Sequence, residues 1–190
     1  KYDKQNLYEN NELSVDFKGL KKGGASAQFF AIFMPDQETL EKMNLSAVDD
    51  DLYIKKLIRI LKTEVRENNE IIEMAYNYRD ILNNQQQNKI SALLTIEDGR
   101  SIDGSLEKLK KYYELGVRLI TLTWNYENCF GWPNSSDQKI MKKGLKEFGI
   151  QAVKYMNEIG MIIDVSHLSD GGFYDILKHS QQPVVASHSN

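Results

Sequence analysis

In 190 residues the chain has one cysteine, three prolines and three histidines, and each scarcity excludes something. The lone Cys129 forms no internal disulfide, so the fold rests on packing rather than covalent staples. Three prolines and twelve glycines are too few for a collagen-like or low-complexity chain. Charge of one sign is also missing: 24 Lys and Arg stand against 27 Asp and Glu, a formal −3 with no basic stripe. A nucleic-acid partner is therefore not expected. The longest uncharged apolar stretch, Ala25 to Pro35, falls well short of the roughly 20 residues a membrane helix needs. No secretory signal opens the chain, because Lys1 to Glu12 is polar. With a single cysteine compatible with a reducing compartment, these absences predict a cytoplasmic location and no membrane segment.

What is present suffices for a core, with 41% hydrophobic residues and 27% charged ones. Five short apolar runs read as buried strands: Gln28 to Met34, Ile90 to Ile96, Val117 to Thr123, Met161 to Val165 and Pro183 to Ser187. Helical periodicity fills the gaps. Asp50 to Asn83 reads as two helices broken at Glu67-Asn68-Asn69. Ser105 caps a helix that Gly116 stops, Gly144 to Ile159 forms another ended by Gly160, and Gly171 to His179 a last one that carries the third histidine.

Strand and helix in alternation predict a parallel α/β architecture. Four of the five strands run straight into a side chain that can bind a metal or stack on a ligand: Glu97, Trp124, His167 and His188. Strand ends converging on one mouth favour a (β/α)8 TIM-type barrel over a doubly wound sheet, whose ligands gather at a single switch point. No GxGxxG or GxxxxGKS phosphate loop follows any strand. A complete barrel takes about 250 residues, so residues 1–190 are expected to be a single incomplete barrel domain with about five of eight strands.

Glu97, His167 and His188 have the donor types of a catalytic metal site, yet lie 70 and 21 residues apart rather than in a local motif. For the two histidines a metal role and a hydrogen-bonded buried imidazole both fit. A carboxylate after an apolar strand is more telling, since it needs a cation or open water. Asp164 in DVSH reads equally as a support for His167 and as a layer-packing residue. Ser166 and Ser187 flank the candidate ligands without the GxSxG elbow of a serine nucleophile. On the residues alone, an inactive barrel and a metal-dependent hydrolase of another amide or phosphoester remain alternatives.

The segments GASAQFFAIFMP, TIEDG, GVRLITLTWNYEN, GLKEFGIQAVKYMNEIGMIIDVSHLS and PVVASHSN resemble the zinc-dependent membrane dipeptidase family, also called renal dipeptidase. The resemblance implies a metallo-dipeptidase with two zinc ions, a metal-bridging hydroxide, dipeptide substrates that tolerate a D-residue on the C-terminal side, and a homodimer. It makes Glu97 the catalytic bridging ligand and His167 and His188 the histidines of the second zinc. The His-x-Asp pair of the first zinc has no counterpart here, so one partial zinc site is expected and residues 1–190 alone are expected to be inactive. Trp124 stands where the family places a substrate-facing histidine; with Asn128 it is expected to shape substrate binding, the lesser alternative being a buried tryptophan that plugs the barrel mouth. Asp98 replaces the usual glycine after the glutamate and is expected to point to solvent.

Overall fold

The computed structural model describes residues 6–10, 12–35, 37–42 and 49–189. In chain order the elements are α1 (Phe17–Lys22), β1 (Ala27–Phe33), α2 (Gln37–Lys42), α3 (Asp50–Glu67), β2 (Ile72–Met74), α4 (Tyr78–Gln86) and β3 (Ile90–Glu97). They continue with α5 (Leu106–Glu114), β4 (Val117–Thr121), α6 (Gln138–Met141), α7 (Glu147–Ile159), β5 (Ile162–Asp164) and α8 (Asp170–His179). The chain divides into two units, Lys1–Phe30 with Asp51–Leu94 and Ala31–Asp50 with Thr95–Asn190. Strands β1 and β3 each begin in the first unit and end in the second.

In the first unit α3 buries Ile54, Ile58, Leu61 and Val65, a single apolar stripe at helical spacing. Asn77 caps α4 by accepting from the Asp80 amide at 3.0 Å. The expected second helix is shorter than the periodicity suggests, because Ile72, Glu73 and Met74 pair in parallel with Ile90, Ser91 and Ala92. Isoleucine side chains suit both periods, and the pairing partner decides. Buried Asn84 donates to Ser91 Oγ at 3.1 Å, which ties α4 to the start of β3.

The second unit holds the strand order β1-β3-β4-β5, with β4 and β5 parallel and in register Leu119↔Ile162, Ile120↔Ile163 and Thr121↔Asp164. Strand β2 lies off this path and pairs with β3. Strand β3 is buried from Ile90 to Ile96, as a strand covered on both faces must be. Helix α7 buries Gly149, Ala152, Val153 and Met156 on one stripe and packs against β5, α5 and α8. It starts at Glu147 rather than Gly144. The preceding residues are held in another path by the Lys146 amide on the Phe130 carbonyl and the Leu145 amide on Asp175, at 2.9 and 3.0 Å. Ser105 caps α5 as expected, accepting from the Lys108 amide, and Gly160 ends α7 at φ 78°. The expected strand over Pro183 to Ser187 contracts to one parallel bridge, Asp164↔Val185.

Candidate metal centre

Glu97 is the last residue of β3, and its carbonyl accepts from the Met34 amide at 3.3 Å. His167 lies three residues beyond β5 with φ 62°, a left-handed conformation uncommon for a residue with a side chain. Two bonds hold it there: its carbonyl accepts from the Asn134 amide at 2.7 Å and from Thr123 Oγ1 at 3.2 Å. His188 follows the Val185 bridge by three residues. These three placements bring one donor atom from each residue within 4.8 Å of the others.

The distances suit a cation. Glu97 Oε1 stands 3.4 Å from His167 Nε2 and 3.5 Å from His188 Nε2. Donors around a small tetrahedral ion at about 2.1 Å lie about 3.4 Å apart, so both carboxylate–imidazole edges match it. The two imidazole nitrogens face each other at 2.6 Å. Two lone pairs cannot meet at that distance, so a proton or a cation must lie between them, and a cation would part the rings by a little under 1 Å. Glu97 and His167 are about three-quarters covered while His188 is half exposed. The donor set therefore fits a divalent metal ion: one carboxylate and two imidazoles that converge from separate segments.

Behind the histidines sits Asp164, fully buried at the end of β5. Its Oδ2 accepts from Thr121 Oγ1 and Ser187 Oγ, both at 2.6 Å. Its Oδ1 accepts from Ser166 Oγ at 2.7 Å and from the Ser166 and Ser187 amides at 3.0 Å. Burial pushes this carboxyl up, but the bonds from Ser187, Thr121 and Ser166 outweigh it and hold the group below the ordinary carboxylate range. Thr121 is in reach because the strand register places it beside Asp164. Of the two sequence readings of Asp164, support for a histidine is the one its bonds describe, though they lead through Ser187 to His188, whose Nδ1 is 2.9 Å from Ser187 Oγ.

Asp98 corrects an expectation. It does not point to solvent but is buried, with φ 78°. Its Oδ1 accepts from the Arg100 amide at 3.0 Å and from Asn128 Nδ2 at 3.1 Å. Burial leaves this carboxyl above its ordinary value despite the Arg100 amide, the Arg100 charge and Asn128. Arg100, which the sequence reading overlooked, reaches the carbonyls of Met34 and Pro35 at 3.2 and 2.8 Å and the Asp50 carboxylate at 3.2 Å. It thereby fastens the turn after Glu97 to the end of β1. Asn128 also donates to the Leu122 carbonyl at 2.8 Å and accepts from the Phe130 amide at 2.9 Å, so its amide braces the loop. Trp124 is partly covered, edge-on to Phe33 at 4.9 Å and to Tyr126 at 6.4 Å between ring centres.

The profile of the membrane dipeptidase family, peptidase family M19, matches residues 1–190. The chain belongs to the membrane dipeptidase family. Mouse Dipeptidase 3 is 36% identical over 190 residues, covering 97% of this chain and 36% of the relative; rat Dipeptidase 3 is 34% identical over 189 residues. This chain thus spans about a third of the length of these relatives. Among solved structures, a metallopeptidase of Rhodobacter sphaeroides bound to a phosphinate mimic of the dipeptide L-Ala-D-Ala superposes with TM-score 0.77 at 22% identity, covering 93% of this chain and 56% of that one. The dipeptidase AC structure gives 0.78 at 23%, covering 93% and 54%. The likeness establishes the TIM-barrel type of α/β fold for this membrane dipeptidase family member. It also corrects the cytoplasmic location drawn from the sequence, since the family is one of membrane dipeptidases. A polar opening stretch and one cysteine carry no address of their own. Among the described residues no helix is long and apolar enough to cross a membrane.

Proposed function

We propose that Glu97, His167 and His188 hold zinc and that the protein hydrolyses dipeptides, including those with a D-residue on the C-terminal side. The observation that carries this reading is the convergence of one carboxylate and two imidazole nitrogens, with both carboxylate–imidazole separations matching a tetrahedral ion. Membership of a dipeptidase family and the fold shared with a metallopeptidase bound to an L-Ala-D-Ala mimic support it.

Zinc bound here would supply a water of lowered pKa as nucleophile and a positive charge to polarise the scissile carbonyl. The chain's own residues do the rest. Glu97 turns one carboxylate oxygen toward the histidines, and its second oxygen suits it to bridge a further ion. Arg100 and Asn128 keep the turn after Glu97 in place through Asp98 and the end of β1. Trp124, with Phe33 and Tyr126, forms an aromatic wall that limits which substrate side chains fit. Asn128 shapes substrate binding by bracing this loop.

The test is hydrolysis of L-Ala-D-Ala by a protein that carries these residues within the full length of its relatives, zinc-loaded and chelator-stripped, with residues 1–190 alone expected to stay inactive. Turnover that needs zinc and disappears in Glu97→Gln is expected of the full-length protein. A wild-type protein that takes up zinc and leaves the dipeptide intact overturns the assignment of substrate, and one that takes up no zinc overturns the site.

A further inference from the structure

The polar network behind His188 allows its protons to be placed. Asp164 is fully buried and receives five hydrogen bonds, three from hydroxyls and two from amides. A carboxylate accepts and does not donate, so each of these hydroxyls must spend its single proton on Asp164. Ser187 Oγ has then only lone pairs left to offer; its other neighbours are Ser166 Oγ at 3.3 Å, whose proton is likewise spent on Asp164, and His188 Nδ1 at 2.9 Å. The ring must donate there. Ser166 obeys the same accounting: its hydroxyl proton goes to Asp164 Oδ1, and its oxygen accepts from the His188 amide at 3.1 Å. One buried carboxylate thus fixes both the backbone and the ring of His188, in each case through a serine.

We infer that Asp164, acting through the Ser187 hydroxyl, locks His188 in the Nδ1–H tautomer and leaves Nε2 as a bare lone pair aimed at the metal centre. Asp164 and Ser187 are positioning residues for this histidine. An imidazole whose tautomer is fixed in advance needs no internal proton rearrangement before it binds a cation, and its ring is already oriented. The inference rests on the reading of His188 as a ligand only for its effect on affinity; the tautomer itself follows from the hydrogen bonds.

The experiment uses the full chain with 15N-labelled histidine. Two-bond proton–nitrogen correlation spectra of the metal-free protein at about pH 8, where an ordinary histidine is neutral, read the tautomer. Zinc titration against a competing chelator reads affinity. The wild type should show His188 protonated on Nδ1. Ser187→Ala should lose that preference and weaken zinc binding about 10- to 100-fold, whereas Ser187→Thr, which keeps the hydroxyl, should retain both wild-type properties. Asp164→Asn should resemble Ser187→Ala, and Ser187→Ala carries the test if the Asp164 variant fails to fold. A wild-type His188 protonated on Nε2, or a Ser187→Ala spectrum unchanged from wild type, overturns the inference. His188→Ala separates the two readings: zinc affinity unaffected by that change refutes the metal site, while the tautomer measurement still judges the relay.

Discussion

At the residue scale, Asp164 shows how a buried charge is kept in a core by donors rather than by a counter-ion. Replacing it with Ala leaves buried hydroxyls and amides without their acceptor, and we expect a loss of roughly 3 kcal/mol by denaturant unfolding. Its folded-state pKa lies below the ordinary 3.8, so the folded form binds its proton less readily than the unfolded chain. Its contribution to stability is therefore complete above about pH 4 and lost as pH falls through the folded-state value. Denaturation midpoints measured from neutral pH to about pH 3 should fall more steeply in the wild type than in Asp164→Asn. As candidates, Glu97, His167 and His188 were legible in the sequence because each closes or follows an apolar run, and a polar ligand-type residue there has a reason to exist. Arg100 was not, because two of its partners are main-chain carbonyls about 65 residues away, which leave no trace in side-chain pattern. Asp98 misled for a related reason: a carboxylate at a turn reads as solvated until the amide and guanidinium that surround it are known.

At the scale of elements, close approach sets the limits. Gly149 lies in α7 where a Cβ would collide with the carbonyl oxygen of Phe130, so the helix can reach that strand-to-helix loop only because this position has no side chain. Gly149→Ala should cost about 1 to 3 kcal/mol by overpacking, read as a fall in Tm of several degrees. Ser105→Ala, which removes the cap of α5, should cost about 1 kcal/mol. The long elements were legible where periodicity and caps agree, as in α5 and at the Gly160 end of α7. Strand β2 was hidden: three residues are too few to show a period, and what makes Ile72–Met74 a strand is the parallel edge of β3. The segment around Val185 was over-read in the opposite direction, since apolar β-branched residues there form one bridge only.

At the scale of the whole molecule, three donors separated by 70 and 21 residues meet only when the sheet is formed, so metal binding and folding are linked. Zinc at 100 times its dissociation constant should stabilise the chain by about 2.7 kcal/mol, and chelation should remove that gain. The barrel class was readable from alternating strands and helices with functional side chains at strand ends. The location was not, because a polar opening stretch and a single cysteine carry no address. The most direct measurement is a zinc titration of the chain by calorimetry, compared with Glu97→Gln, His167→Ala and His188→Ala. Saturable uptake at this centre, weakened at least tenfold by each of the three changes, is the predicted result. Zinc binding that is absent, or that is indifferent to all three, would contradict the account.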